Sequence, residues 1–185
     1  KRLRRLIKKV GIIRLPYQYI CKLLRKIDGF TDGTYTSIAE KINNTQKNKK
    51  VLISNLPREE LVLAFMSTDL FVFASNIEYS PLVLYESAAA GTPFLSVPVG
   101  NAEEIALWTE AGQICQARQD KNGNTWVKPS LLAKHMSRLA NNKELLSKMG
   151  KNGKKNWAEK FSWDKITKQY ENIFKSVLSE RNIST

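Results

Sequence analysis

The stretch Leu70-Phe-Val-Phe-Ala-Ser75-Asn-Ile-Glu78-Tyr-Ser-Pro81-Leu-Val-Leu-Tyr-Glu86-Ser-Ala-Ala-Ala-Gly91-Thr-Pro93-Phe-Leu-Ser-Val97 decides the fold of this chain. Its first five residues form a short apolar run that is typical of a buried strand. Pro81 suits the first turn of a helix, where its missing N–H would be unpaired anyway. Gly91 is the expected end of that helix, and a second apolar run follows it. The pattern therefore predicts strand, loop, helix and strand, which is one unit of a parallel α/β sheet.

Two carboxylates lie within this unit, Glu78 in the loop and Glu86 in the helix. Glu78 follows the carboxyl end of a strand, where open α/β sheets bind their ligands. The free N–H groups of Ser80, Leu82 and Val83 at the helix N-terminus suit an anion such as a phosphate. A carboxylate inside the helix accepts two hydrogen bonds from neighbouring sugar hydroxyls. These residues predict a ligand that has both a phosphate and hydroxylated rings.

The glutamate pair, the small-residue run Ser87-Ala-Ala-Ala-Gly91-Thr-Pro93 and the later Val99-Gly-Asn-Ala-Glu-Glu104-Ile105 resemble one known family. They are similar to the donor-binding domain of retaining GT-B glycosyltransferases, which include glycogen synthase, sucrose synthase and bacterial capsule and lipopolysaccharide transferases. The resemblance implies an α/β fold with a Rossmann-like parallel sheet flanked by helices, incomplete here, and a helical C-terminal tail. It implies a basic, mainly helical segment over residues 1–50, a nucleotide-sugar-binding core over 51–128 and C-terminal helices over 129–185.

The resemblance also implies roles for individual residues. Glu86 would bind the ribose hydroxyls, and Glu78 would contact the donor hexose as the catalytic residue. The other residues that it places at the donor are Ser54, Asn55, Leu56, Ser80, Pro81, Leu82, Val83, Gly100 and Asn101. Many members of the family have Gly-Phe-Gly where this chain has Tyr79-Ser80-Pro81, which leaves less room for close approach of the backbone.

Structural interpretations of the same residues stay open. Residues 54–56 also fit a plain turn from strand to helix, and Gly100 with Asn101 also fits a capped helix start. Glu78 and Glu86 also fit a helix cap and a buried ion-pair partner. A glutamate on the apolar face of an Ala-rich helix is expensive to bury without partners, which favours a functional role.

The implied function is transfer of a hexose from a nucleotide-diphosphate sugar to a glycan or lipid-linked acceptor, with retention of anomeric configuration. No metal or other cofactor is expected, because cationic side chains and a helix N-terminus take the electrostatic role of a metal in this family. The family's Gly-Arg-x4-Lys segment is not found in the sequence. We therefore expect a C-terminal fragment that lacks the N-terminal acceptor domain and is inactive alone.

The composition sets outer limits on these interpretations. A chain of 185 residues forms one or two domains. Its two cysteines, Cys21 and Cys115, predict neither a disulfide framework nor a metal site, and they fit a reducing cytoplasm. No apolar run approaches the roughly 20 residues of a membrane span.

The net charge of +13 is concentrated at the start of the chain, with +11 in residues 1–50 and +2 in residues 51–185. A solvated basic helix face explains this excess, and so does peripheral attraction to an anionic membrane or a phosphate-bearing lipid acceptor. Nucleic-acid binding is not expected, since no recognition motif accompanies the charge.

The alternative function is a non-catalytic Rossmann-like module that binds a membrane or partner through its basic N-terminal helices. A sugar-phosphate epimerase of the same fold is a third option, although its catalytic residues are not seen.

Periodicity and turn residues predict the remaining elements. The predicted helices cover residues 1–9, 17–27, 129–140, 143–160 and 163–179, with a further helical turn at 37–42 and a helix that begins at Pro57. The predicted strands cover residues 12–15, 51–54, 70–74, 94–97 and 113–116, and turns or loops are predicted at 30–36, 43–50 and 120–124.

Overall fold

The computed structural model describes residues 32–45 and 49–183. The helices predicted over residues 1–9 and 17–27 and the strand predicted over 12–15 lie outside the described residues. The chain divides into two compact units, Lys1–Asn55 and Leu56–Thr185.

In the first unit, helix α1 spans Asp32–Thr45. The turn predicted from residue 30 to 36 is therefore wrong from Asp32 onward, and the helix predicted at 37–42 is confirmed but longer. The strand predicted over residues 51–54 is wrong, because these residues have no strand partner among the described residues and a strand needs a paired neighbour. Instead, the Asn43 side chain pairs with the main chain of Val51: Nδ2 donates to its carbonyl over 2.9 Å, and Oδ1 accepts from its N–H over 2.6 Å.

The second unit alternates helices and strands. Its elements in chain order are α2 (Arg58–Ser67), β1 (Phe71–Phe73), α3 (Leu82–Ala90), β2 (Phe94–Ser96), α4 (Ala102–Thr109), β3 (Gly112–Ile114), β4 (Arg118–Gln119), β5 (Thr125–Trp126), α5 (Pro129–Ala140), α6 (Lys143–Lys160) and α7 (Trp163–Ile183). The predicted bounds of α5 and α6 are confirmed at both ends, and α7 runs four residues beyond its predicted end.

Strands β1, β2 and β3 form a parallel sheet in that order. Phe71 pairs with Phe94, and Phe94 in turn pairs with Gly112. The predicted α/β class with a parallel sheet flanked by helices is confirmed. β3 was expected to be the last strand, but an antiparallel hairpin follows it, in which Gln119 pairs with Thr125. The turn predicted at 120–124 is the loop of this hairpin.

The core lies between this sheet and the helices that cover it. Its largest completely buried side chains include Phe94, Leu84, Leu95, Ile105 and Leu139. Two glycines allow α6 to pack closely on its neighbours, since a β-carbon on Gly153 would lie 2.6 Å from the β-carbon of Ala111. A β-carbon on Gly150 would collide with the carbonyl oxygen of Gly91.

Helix α7 carries a row of apolar side chains. Trp163, Tyr170, Ile173, Phe174 and Val177 are exposed, Ile166 is half-buried, and Trp163 reaches 82% exposure. Within the described ranges, none of the helices has the length and apolar character that crossing a bilayer requires.

Candidate functional site

The loop between β1 and α3 carries Glu78, which is half-buried. Two hydrogen bonds attach this loop to the hairpin: the Thr125 N–H donates to the Asn76 carbonyl over 2.7 Å, and Asn76 Nδ2 donates to the Thr125 carbonyl over 2.9 Å. A third bond attaches it to the loop after β2, where the Asn101 N–H donates to the Tyr79 carbonyl over 3.1 Å. The loop is therefore tied on two sides by main-chain groups.

Gly100 allows the two loops to approach each other. Its φ is +53°, in the left-handed region that favours glycine. A β-carbon on Gly100 would overlap the carbonyl oxygen of Tyr79 and lie 2.9 Å from that of Glu78. The structure thus brings together Gly100, Asn101 and the Glu78 loop, three features that the sequence predicts to be at one site.

Asn101 holds the N-cap position of α4, as predicted, but its side chain makes no cap hydrogen bond. Its Oδ1 is buried and has no hydrogen-bond partner among the residues that the structure describes. The prediction of a side-chain cap is therefore wrong. A buried acceptor without a partner is costly.

Helix α3 begins directly after Pro81, which is buried and has an extended backbone with φ −72°. The Leu84 N–H donates to the Pro81 carbonyl over 3.0 Å. In the part of the chain that the structure describes, the N–H groups of Ser80, Leu82 and Val83 make no main-chain hydrogen bond. These groups lie at the positive end of the helix dipole, the usual position of an anion site.

Glu86 lies one turn inside α3 and lines a groove of about 650 Å³. Its Oε1 forms an ion pair with Arg58 Nη1 at 2.8 Å, and its side chain is 33% exposed. The groove is walled mostly by apolar and aromatic side chains: Val62, Phe65, Met66, Leu82, Tyr85, Ala89, Ala90, Trp157, Phe161, Trp163 and Ile166, with Lys154 as a further cation. Glu86 is thus open to a ligand and is not enclosed in the interior.

Glu78 does not line this groove. The two carboxylates of the sequence motif therefore flank the start of α3 without sharing one cavity in the described structure. Their predicted roles, one at the hexose and one at the ribose, stay predictions.

Tyr85 forms part of the groove wall next to Glu86. Its ring packs on that of Phe161 with centroids 5.1 Å apart. Burial, together with the Glu104 carboxylate, raises the pKa of the Tyr85 phenol above its usual value. The phenol therefore stays neutral at physiological pH and keeps its O–H as a donor.

The residues predicted to hold the nucleotide base are divided between the two units. Ser54 and Asn55 are exposed at the end of the first unit, and Leu56 begins the second. Their predicted contact with a base stays a prediction.

Arg58 is the residue at this site that sequence reasoning missed. The sequence shows it only as part of the first turn of a helix that also holds Glu59 and Glu60. Its partner is 28 positions further along the chain and on another helix. No local periodicity connects the two, so the sequence offered no signal for this pair.

Comparison with known proteins gives a consistent result. The family model for glycosyl transferases group 1 matches residues 31–156 of the chain. The Bacillus subtilis protein YtcC, which is named as a glycosyltransferase, is 30% identical over 129 residues, or 69% of this chain and 30% of YtcC. The N-acetyl-alpha-D-glucosaminyl L-malate synthase of Bacillus anthracis is 27% identical over 178 residues, or 94% of this chain and 44% of the synthase.

A solved structure also resembles this chain. Sucrose-phosphate synthase from Thermosynechococcus elongatus aligns with a TM-score of 0.56 and 20% identity, over 79% of this chain and 34% of the synthase. At that identity the likeness shows the fold alone. The chain spans less than half the length of each of these proteins.

Proposed function

The chain belongs to the glycosyl transferases group 1 family, and from this premise we propose that it binds the donor in transfer of a hexose from a nucleotide-diphosphate sugar. The observation that carries the proposal is the position of Glu86, whose carboxylate opens into a groove one turn from the free N–H groups of α3. A carboxylate and a helix N-terminus at this spacing match a sugar hydroxyl pair and a phosphate on one ligand.

Glu86 binds the ribose hydroxyls in this proposal. A carboxylate has about four acceptor sites, so the single ion pair with Arg58 leaves capacity for two hydroxyl donors. The apolar walls of the groove lower the local dielectric constant, which strengthens hydrogen bonds to the charged group.

The diphosphate lies at the N-terminus of α3, against the N–H groups of Ser80, Leu82 and Val83. Pro81 contributes no donor but fixes the backbone of the first turn. Gly100 lets the loop after β2 approach the Glu78 loop, because its β-carbon position is occupied by the carbonyl of Tyr79.

Glu78 contacts hydroxyls of the donor hexose and acts as the catalytic residue. Its loop is held on one side by Asn76 and on the other by the Asn101 N–H. Asn101 lies beside the same sugar, because its N–H joins its loop to the Glu78 loop at the Tyr79 carbonyl.

The transfer proceeds with retention of anomeric configuration. The relative named N-acetyl-alpha-D-glucosaminyl L-malate synthase has an alpha-configured sugar in its name, which is the outcome of retention when the donor is also alpha-configured. The reaction requires no metal in this proposal, because the dipole of α3 and cationic side chains balance the charge of the leaving diphosphate.

The acceptor is a glycan or a lipid-linked saccharide. The relatives are more than twice as long as the segment that they share with this chain. Acceptor binding and turnover are therefore assigned to that additional length, and the 185 residues alone are inactive.

The +11 charge of residues 1–50 supports peripheral contact with an anionic membrane, on the cytoplasmic face. Sedimentation with liposomes, with and without anionic lipid, tests this contact.

Isothermal titration calorimetry of the chain with uridine, guanosine and adenosine diphosphates and their hexose derivatives tests donor binding. We expect one of them to bind, and we expect Glu86→Gln to weaken it by about 10- to 100-fold, on the scale of hydrogen bonds to a charged group. Glu144→Gln on α6 is the matched control, because this glutamate is exposed and does not line the groove. Binding of none of these nucleotides, or equal affinity in Glu86→Gln and the wild type, would contradict the proposal.

A further inference from the structure

Arg58 occupies a position that its own helix does not favour. It is the first residue of α2, where the helix dipole is positive and acidic residues are preferred. Glu59 and Glu60 satisfy that preference in the same turn. The Arg58 side chain instead crosses to α3 and pairs with Glu86 at 2.8 Å.

The ion pair contributes little to the stability of the fold. The Arg58 side chain is 62% exposed, and ion pairs at such exposure are weakened by solvent and by the ordering of two long side chains. A second bond already joins the two regions, since the buried Thr92 hydroxyl, just after α3, donates to the Phe65 carbonyl of α2. The position of Arg58 is thus not explained by a need to hold the helices together.

We propose that Arg58 is a positioning residue that holds the Glu86 carboxylate oriented toward the groove for the ribose of the nucleotide. This inference rests on the proposed function. Most of the groove wall is apolar, and Arg58 is the charged group that the structure pairs with this carboxylate. The guanidinium restricts the rotamers of Glu86, so the hydroxyl pair meets an acceptor that is already aligned.

Arg58 acts through Glu86 in this proposal and does not contact the nucleotide itself. This makes the effects of the two residues on affinity non-additive, which a double-mutant cycle measures. An arginine that bound the diphosphate directly would keep its effect after Glu86 was neutralised. The cycle therefore separates positioning from direct binding.

The test is calorimetric titration of the chain with the nucleoside diphosphate that the wild type binds best. We expect Arg58→Ala to lower affinity by about 5- to 10-fold, and Arg58→Lys, which keeps the charge but not the planar geometry, to recover part of it. In a Glu86→Gln background, Arg58→Ala should change affinity by less than about twofold. Thermal unfolding of Arg58→Ala should shift by less than about 3 °C, because the pair is exposed.

Arg138→Ala is the matched control. Arg138 is also an exposed arginine, and its side chain donates a 3.0 Å hydrogen bond to Gln113 Oε1 away from the groove. Unchanged or tighter binding in Arg58→Ala overturns the inference, as does a loss of equal size in the Glu86→Gln background. Absence of nucleotide binding by the wild type instead overturns the proposed function, so the two failures are distinguishable.

Discussion

The main-chain N–H of Asn101 donates a 3.1 Å hydrogen bond to the carbonyl oxygen of Tyr79, and this bond joins the loops that follow two neighbouring parallel strands. One loop carries Glu78 and follows β1, and the other carries Gly100 and follows β2. Because the bond is between main-chain groups, it does not depend on the side chains of Tyr79 and Asn101. The carboxyl edge of the sheet thereby holds Glu78 and Asn101 on adjoining segments.

Gly100→Ala should separate these two loops. The substitution forces a residue with a β-carbon to keep φ +53° and places that carbon on the Tyr79 carbonyl. We expect the free energy of unfolding to fall by about 1–3 kcal/mol and donor binding to be lost, as followed by urea denaturation and calorimetry.

Gly123→Ala is the control for this effect. Gly123 also has a positive φ, +82°, but apart from its own chain neighbours no atom of the described residues lies within 4 Å of the position of its β-carbon. Gly123→Ala should lower the free energy of unfolding only by the cost of an alanine at positive φ, and it should bind nucleotide like the wild type. If Gly100→Ala also retained full nucleotide affinity, the contact between the loops would have no role in the site.

Asp120 should make the hairpin sensitive to acid. The Asn124 side chain donates to its carboxylate over 2.9 Å, and the main-chain N–H groups of Asn124 and Asn122 and the indole of Trp126 add further bonds. These bonds lower the pKa of Asp120 to about 2. Since an unfolded aspartate has a pKa of about 3.9, the stabilisation is complete above that pH and is lost as the pH falls toward 2.

The acid sensitivity of the hairpin can be followed by NMR through the chemical shift of the Trp126 indole N–H. It should shift toward its unfolded position between about pH 4 and pH 2, and Asp120→Asn should remove that transition. Asn122→Ala should keep the transition, because residue 122 contributes only its main-chain N–H. If Asp120→Asn showed a transition with the same midpoint, that transition would belong to another titrating group.

Gly150→Ala should destabilise the fold, although alanine favours helices. The added carbon would clash with the carbonyl oxygen of Gly91. Gly91 is the residue with φ +80° at the end of α3. Overpacking costs about 1–3 kcal/mol and the gain in helix propensity is roughly 1 kcal/mol, so a net loss of up to about 2 kcal/mol is expected in urea denaturation. The exposed neighbour Lys151→Ala should change the free energy of unfolding by less than about 0.5 kcal/mol. A more stable Gly150→Ala would show that α6 can move away from α3.

Thr92→Val should loosen the contact between α2 and the turn after α3. The buried Thr92 hydroxyl donates to the Phe65 carbonyl, which also accepts the Thr68 N–H over 3.2 Å. Because the carbonyl keeps that second donor, the loss in unfolding free energy should be about 0.5–1.5 kcal/mol. Thr92→Ser retains the hydroxyl and should have the smaller effect. Since Thr92→Val keeps the methyl group, no loss in this variant would show that the hydrogen bond to Phe65 contributes nothing to stability.

Much of the second unit could be predicted because its signals are local. Pro81 and Gly91 delimit α3 through their own backbone preferences, and apolar runs mark β1 and β2. The bounds of α5 and α6 followed from Pro129 and from periodicity. The strand predicted at 51–54 failed, since a strand depends on a partner that an apolar run does not provide. The hairpin was missed because its strands have two residues each and a polar sequence.

The sequence by itself determined that this chain alternates strands and helices and has a glutamate on each side of a helix start, because backbone preferences and spacing act over a few neighbouring residues. Only the tertiary structure decided that Arg58 pairs with Glu86 and that Gly100 lies against Tyr79. Those contacts join segments more than 20 positions apart, and their distances are set by how helices and loops pack on the sheet.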